Sequence, residues 1–312
     1  MHIHQEVNER FPVRNTKEQK QEFRDYLLEK AQEMGYSACV EATDKKGNTQ
    51  NVVVGDAEHA QVIFTAHYDT PRRAIMPNLM MPRSPLASVG YALLLVVPLL
   101  FVALGARYLA VTYLHLPESV GMLIYLLLYF GIFYFLMLGG PVNPHNANDN
   151  TSGCAALLKL MQDMRPEDRD KAAFIFFDNE EKGMVGSSGF AKKHPDIKKD
   201  TLIINMDCVA NGNQMLLIAK KKAMEDEKYG LLLETMPKHD TIEARFFPSS
   251  GSMMNSDHSR FDKGIGVCAC KKTPVVGFSC GLIHTPKDTV ADVGNLDYLA
   301  LWMKAFVNQL KD

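Results

Sequence analysis

This 312-residue sequence lacks a surplus of either charge: 34 Lys and Arg stand against 36 Asp and Glu, a formal net charge of -2. So small an imbalance gives no electrostatic footing for a nucleic-acid partner. Cysteines in metal-binding or redox pairs are also missing. The six present, Cys39, Cys154, Cys208, Cys268, Cys270 and Cys280, include no CxxC, and Cys268 and Cys270 alternate along a predicted strand. In a chain of this size they read as free buried thiols in a reducing compartment. The first residues, with His2, His4, Glu6, Glu9 and Arg10, hold no apolar stretch, so no secretory signal peptide is expected. Internal repeats and low-complexity linkers are absent. The length suits one large α/β domain with a sizeable core.

What is present has the rhythm of an α/β fold. Asn15 or Thr16 can cap a helix running to about Met34, with Phe23, Tyr26, Leu27 and Ala31 on one stripe and Gly35 as its stop. Cys39–Thr43 and Gln50–Val54 predict a hairpin around Lys45, Lys46, Gly47 and Asn48. Val62–His67, Ala172–Phe177 and Leu202–Met206 are apolar runs that end in polar residues, as buried central strands do. Helices are expected at Thr151–Met164, about Gly186–Lys193, near Ala223–Met236 and from about Leu296 to Leu310, with a further strand near Val267–Cys270. The fold class is therefore α/β, a mostly parallel central sheet flanked by helices on both faces. Such sheets bind ligands beyond the carboxyl ends of their strands, where His67, Asp178 to Glu181 and Asp207 fall.

Two stretches depart from this rhythm. Ser84–Ala106 contains no Asp, Glu, Lys or Arg, and neither does Ser119–Asn148, whose apolar heart is Val120–Leu138. A helix needs about 20 apolar residues to cross a bilayer core, and both stretches qualify. The linker from Arg107 to Glu118 is short, so an antiparallel transmembrane hairpin is expected over residues 84–139, inserted into a discontinuous domain of residues 1–83 and 140–312. Gly90, Gly105, Gly121 and Gly131 permit close packing, although no GxxxG is present. Arg72, Arg73 and Arg83 lie on the domain side, whereas Arg107 in the linker is balanced by Glu118. The positive-inside rule then places the domain in the cytoplasm, against the inner face of the cell membrane.

Metal-ligand chemistry is spread along the chain in order. His67 and Asp69 alternate onto one face at the end of a strand, where a carboxylate can fix the tautomer of a metal-binding imidazole. Asp149 opens a helix in Asn148-Asp149-Asn150-Thr151-Ser152-Gly153, where helix capping is an equally good use for it. Glu180 and Glu181 follow a strand directly. Two adjacent glutamates do not easily serve one ion, but one can bind metal while the other takes a proton from water. Asp207 ends a strand, and His284 sits in Gly281-Leu282-Ile283-His284-Thr285-Pro286-Lys287-Asp288-Thr289. Two histidines and three carboxylates can hold a pair of divalent ions with one carboxylate shared.

In combination, the HxD, the NDNTSG helix start, Glu180-Glu181-Lys182-Gly183-Met184-Val185-Gly186-Ser187, the strand-end Asp207 and HTPKDT resemble a known group. It is the di-zinc aminopeptidase family of the bacterial leucyl aminopeptidase and aminopeptidase S type, related to glutamate carboxypeptidase and the glutaminyl cyclases. The resemblance covers about Gln21 to Asp312 apart from the hairpin. It implies a zinc-exopeptidase-like fold, a peptide substrate and two zinc ions, with cobalt or manganese also acceptable to such ligands. It further implies that Asp149 bridges the ions, that His67 and Asp207 complete one site, and that Glu181 and His284 complete the other. Glu180 would be the general base and Asp69 would orient His67. A cis peptide is expected between Asp149 and Asn150, and His258, in Ser256-Asp257-His258-Ser259-Arg260-Phe261, would bind substrate or stabilise an oxyanion. The hairpin is a departure from the family pattern and puts its substrate preferences in question. The rival readings are a one-zinc glutaminyl-cyclase-like aminoacyltransferase, whose relatives lean on the Asp, Glu and late His whereas this chain also keeps His67 and Asp207, another amidohydrolase, and a catalytically dead membrane scaffold. The oligomeric state is not legible in the sequence.

Overall fold

A computed structural model describes residues 2–44, 46–74, 79–137 and 139–311. The chain opens with α1 (Ile3–Arg10) and α2 (Lys17–Glu33), followed by β1 (Ala38–Ala42), β2 (Gln50–Val54) and β3 (Val62–His67). The long helices α3 (Pro85–Thr112) and α4 (Glu118–Met137) come next, then α5 (Thr151–Asp163), β4 (Ala172–Phe177), α6 (Val185–Lys193), α7 (Pro195–Asp200) and β5 (Leu202–Met206). The remainder holds β6 (Gln214–Ala219), the short α8 (Lys221–Met224) and α9 (Glu227–Glu234), β7 (Glu243–Pro248), β8 (Gly264–Thr273), β9 (Gly277–Ser279) and α10 (Val293–Gln309).

The strands form one sheet in the order β1-β2-β4-β3-β5-β8-β6-β7, with β9 on β8. Its centre, β4-β3-β5-β8, is parallel as the apolar runs predict. The sheet as a whole is mixed, because β1, β2 and the β6–β8 pairing are antiparallel. Alternation within β3 divides the core between two faces. Val62, Phe64 and Ala66 join Phe23, Leu27 and Trp302 under α2, α5 and α10, while Ile63 meets Ile175, Phe190 and Phe261 under α6. Strands buried on both faces have no polar side to show, which is why they read as continuous apolar runs.

Thr16 caps α2, with its hydroxyl on the Gln19 amide and the Gln19 side chain returning to Thr16. The single helix expected near Ala223–Met236 is instead two, because Asp226 caps the second turn by accepting from the Lys228 amide at 3.0 Å. β1 and β2 pair as the predicted hairpin, although Lys45 in its turn lies outside the described residues, as does Leu138 at the end of the second apolar stretch. α3 runs six residues beyond Ala106, so the linker is only Tyr113–Pro117 and the Arg107–Glu118 ion pair closes it at 2.8 Å.

Helices α3 and α4 are each long and apolar enough to cross a membrane, with mean hydropathy of 2.5 and 2.1. They pack against each other and leave most of their apolar surface uncovered, including Leu94 and Phe101, each 68% exposed, and Leu127 and Phe130. Their roots are stitched to the domain. Arg72 bridges Val142, the Arg73 amide donates to Pro141 O at 2.9 Å, and the Ala74 amide donates to His284 O at 2.8 Å.

Candidate metal centre

The site is assembled at the carboxyl ends of the parallel strands. The register sets His67, the last residue of β3, opposite Phe177, the last of β4. The turn carrying Glu180 and Glu181 therefore starts level with His67. Asp207 follows β5, its amide donating to Val267 O of β8 at 3.0 Å. Asp149 precedes α5, and His284 arrives on the loop after β9. Leu282 and His284 both hold positive φ, 74° and 59°, which tightens that loop.

Asp149 stands at the middle. One of its oxygens, Oδ1, lies 3.4 Å from His67 Nε2; the other, Oδ2, lies 3.0 Å from His284 Nε2. His67 Nε2 is 3.7 Å from Asp207 Oδ1, and His284 Nε2 is 3.4 Å from Glu181 Oε2. Ligand atoms of His67, Asp149 and Asp207 all fall within 4.8 Å of one another, and so do those of Asp149, Glu181 and His284. Two groups that could each hold a metal ion thus share one carboxylate. Glu180 belongs with His67 and Glu181 in a third such grouping.

The helix cap that competes for Asp149 in the sequence is supplied by its neighbour. Asn150 Oδ1 accepts from the Gly153 amide at 3.0 Å, and Asn150 Nδ2 donates to Met206 O at 3.0 Å, tying α5 to the end of β5. Gly153 is required there, since a Cβ would collide with Met206 O and with Asn150 Oδ1. The Asp149–Asn150 peptide is cis, as the resemblance implies. Asp149 itself is clamped from behind by Asp288, whose Oδ1 accepts from the Asn148 amide at 3.0 Å and whose Oδ2 accepts from the Asp149 amide at 2.9 Å.

Asp69 differs from expectation in what it holds. The nearest partner of His67 Nδ1 is the main-chain oxygen of Asp69 at 3.1 Å, with the carboxylate at 3.6 Å. That carboxylate accepts instead from the amides of Glu180 at 3.0 Å and Glu181 at 3.3 Å, so it fixes the glutamate turn. Lys20 secures the same turn from α2, with Nζ 2.6 Å from Asp178 and 2.7 Å from Asn179. His258 lies in the short helical turn Asp257–Arg260 and is as buried as His67, 2% exposed against 1%. It packs over Gly266, where a Cβ would come within 2.6 Å of the ring. Burial lowers its pKa to about 4.

The electrostatics call for cations. Asp69, Asp149, Glu180, Glu181, Asp207 and Asp257 crowd around two imidazoles, and Glu181 Oε1 has no hydrogen-bond partner among the described residues. Burial alone would lower the imidazole pKa values. The carboxylates outweigh it and hold both His67 and His284 well above the ordinary range. Burial, with the charges of Asp257, Glu181 and Asp207 added, pushes Glu180 well above the ordinary carboxylate range despite His67. Asp257 itself is raised to about 7 by burial. Packing this much negative charge in a dry site is costly unless positive charge joins it. The donor set of imidazoles and carboxylates fits zinc.

The arrangement brings together His67, Asp69, Asp149, Glu180, Glu181, Asp207 and His284. The sequence reading missed two contributors, Asp288 and Asp257. Asp288 sits four residues after His284 in the same loop, and Asp257 directly precedes His258, so both lie inside segments already singled out.

No curated protein matches the sequence. Among solved structures, the chain is similar to a Zn-dependent exopeptidase from Parabacteroides distasonis, with 16% identity, TM-score 0.58, and coverage of 99% of this chain and 96% of that one. It is similar to the Bacteroides thetaiotaomicron glutaminyl cyclase bound to N-acetylhistamine at 15% identity and TM-score 0.57, over 99% and 96%. It is also similar to the Legionella pneumophila LapA aminopeptidase at 14% identity and TM-score 0.55, over 98% of this chain and 69% of that one. Identity this low shows a shared fold alone. The sequence profile of peptidase family M28 matches residues 135–307, a stretch that takes in Asp149, Glu180, Glu181, Asp207 and His284. With more than half of its length matched, and on an α/β fold of this zinc-exopeptidase kind, the chain belongs to peptidase family M28, with the metal-dependent peptidase type of function which that family implies.

Proposed function

We propose that this protein is a membrane-anchored aminopeptidase that removes N-terminal residues from peptides with the help of two zinc ions. The observation that carries this reading is the divided carboxylate of Asp149, with one oxygen facing His67 and the other facing His284. His67, Asp207 and Asp149 would hold one ion, and Glu181, His284 and Asp149 the other. When bound, the ions lower the pKa of a water molecule and polarise the scissile carbonyl. Glu180 takes the proton from the attacking water and returns it to the leaving amine. Asp69 keeps Glu180 and Glu181 in place through their amides, and Asp288 does the same for Asp149. The ligand chemistry leaves cobalt or manganese as substitutes.

The hairpin of residues 84–139 is proposed to span the cell membrane, with residues 1–83 and 140–312 forming the catalytic domain on the cytoplasmic side. Apolar side chains around every face of α3 and α4 support this, because a soluble protein rarely leaves so large an apolar surface uncovered. A lipid bilayer is then a standing partner, alongside the peptide substrate.

The test is hydrolysis of an aminoacyl-anilide panel by detergent-purified protein, with and without chelator, beside N-blocked versions. Chelator-sensitive cleavage of free-amine substrates alone is expected. Glu180→Gln should retain zinc while turnover falls about 10²- to 10⁴-fold, the usual worth of a general base. A zinc-loaded Glu180→Gln protein that turns over normally refutes the assignment. Cyclisation of N-terminal Gln by a protein holding one metal would replace the aminopeptidase reading with a cyclase.

A further inference from the structure

Three cysteines that look scattered in the sequence converge at the root of the hairpin. Cys268 and Cys270 project from one face of β8, and Cys280 directly follows β9. All three are buried, at most 2% exposed, in an apolar shell that includes Leu216, Ile218 and Met254. The β8–β9 register pairs Lys271 with Ser279, so its next step sets Cys270 opposite Cys280. Their sulfurs are 2.9 Å apart, against 3.8 Å between Cys268 and Cys270.

Two chemistries compete for such a cluster. Thiolates bound to one tetrahedral zinc through bonds of about 2.3 Å stand about 3.8 Å apart. The Cys270 and Cys280 sulfurs are well inside that separation. Three thiolates around a zinc ion would also leave net negative charge in an apolar shell, and two would leave a tetrahedral ion short of ligands. Directly opposed residues of an antiparallel pair have Cα atoms about 4.5–5.5 Å apart, within the range a disulfide spans without backbone movement.

We propose that Cys270 and Cys280 form a reversible disulfide that adjusts the metal centre. The oxidant is a peroxide or a small-molecule disulfide. With hydrogen peroxide, one thiolate attacks oxygen, breaks the O–O bond and becomes a sulfenic acid, releasing the first water. The second sulfur then attacks that sulfenic sulfur, closes the S–S bond and expels the second water. With oxidised glutathione, two exchange steps release two molecules of reduced glutathione.

The link to the centre is covalent and short. Gly281, Leu282 and Ile283 alone separate Cys280 from His284, and this segment carries the two positive-φ residues and the His284–Ala74 hydrogen bond. Closing the sulfur gap to about 2.05 Å draws Cys280 toward β8 by up to about 0.9 Å. Displacement on the order of 1 Å near the reacting groups can cost about 100-fold in rate. Cys280 is also bridged to Met80 below α3, its amide donating to Met80 O at 2.9 Å, so the same bond pulls on the hairpin root.

The bond itself can be tested independently of activity, and only the effect on turnover rests on the aminopeptidase reading. Full-length detergent-purified protein is treated with hydrogen peroxide or oxidised glutathione, alkylated and digested with trypsin. Lys271 and Lys272 place Cys268 and Cys270 on one peptide and Cys280 on another, so the bond appears as a cross-linked pair that a phosphine reductant separates. Cys268→Ala should keep the link and Cys270→Ala should lose it, while exposed Cys39 reports that the oxidant acted. Turnover should fall at least about tenfold on oxidation of the wild type, recover on reduction, and not change in Cys270→Ala. Three results overturn the proposal: a link that survives Cys270→Ala, thiols that stay free while Cys39 is oxidised, or a zinc equivalent that Cys270→Ala removes. A link that forms without changing turnover overturns the coupling to His284.

Discussion

Removing the Asp288 carboxylate should loosen the candidate metal centre from behind, without replacing any proposed ligand. Asp288 is 1% exposed and spends both oxygens on the adjacent amides of Asn148 and Asp149. Asp288→Ala leaves two buried N–H groups without an acceptor. Each such loss costs about 1–3 kcal/mol, so the metal-free protein should lose about 2–6 kcal/mol of stability. The lower end applies if water fills the vacated space. Metal binding should suffer separately, because Asp149 is no longer held where both groups need it. Loss of a partner that orients a ligand typically costs about 10–100-fold in metal affinity. Urea unfolding of the metal-free protein in detergent gives the first quantity, and zinc competition against a chromophoric chelator gives the second. Asp288→Asn, which keeps one acceptor, should fall between wild type and alanine. Lowered stability with zinc affinity within twofold of wild type would mean that the clamp supports the loop but does not aim Asp149. No change in either quantity would refute the reasoning.

Acid should weaken the fold through His258. Its folded pKa, about 4, lies below the ordinary 6.5 because burial disfavours the charged ring. A depressed folded pKa means that the associated stability is present above pH 6.5 and is lost as the pH falls toward 4, amounting to about 3 kcal/mol for this one group. Unfolding midpoints measured between pH 7 and 4 should fall more steeply for wild type than for His258→Gln, and superimposable slopes would count against this account. The hairpin is expected to keep the full-length chain in the membrane fraction through alkaline carbonate extraction, whereas replacing residues 84–139 by a short Gly/Ser link should release a folded, zinc-binding domain. Full-length protein recovered in the carbonate supernatant would rule out spanning.

Much of the candidate site was legible because each proposed ligand sits where local sequence changes character. His67 and Asp207 stand where an apolar strand meets polar sequence, and Glu181 follows closely on a third strand. Asp149 was ambiguous, since an Asp before a helix caps as readily as it binds metal; only the fold shows Asn150 making the cap. The role of Asp69 was half legible. Strand alternation put its side chain beside His67, but its better partners are amides that lie more than 100 residues away in sequence. Contacts between distant segments also explain what was missed elsewhere. α1 has too little apolar periodicity to stand out, yet His4 Nε2 makes a 2.7 Å hydrogen bond with Ala147 O, and the buried Arg14 reaches Tyr68 O and Thr151. The antiparallel flanks of the sheet and the meeting of Cys280 with Cys270 depend on register, which spacing alone does not fix.

The stitching of the hairpin to the loop of His284 bears on how substrates are met. Asn143 Nδ2 donates to Thr285 O at 3.2 Å, next to His284. The stretch from Met137, at the end of α4, to Asn143 can reach no more than about 21 Å at roughly 3.5 Å per residue. If α4 spans a bilayer as proposed, the candidate metal centre would be held within about that reach of the membrane surface. Polypeptides confined to that surface would meet it by a two-dimensional search at raised local concentration, so the bilayer would sort candidates by address before any pocket sorts them by side chain.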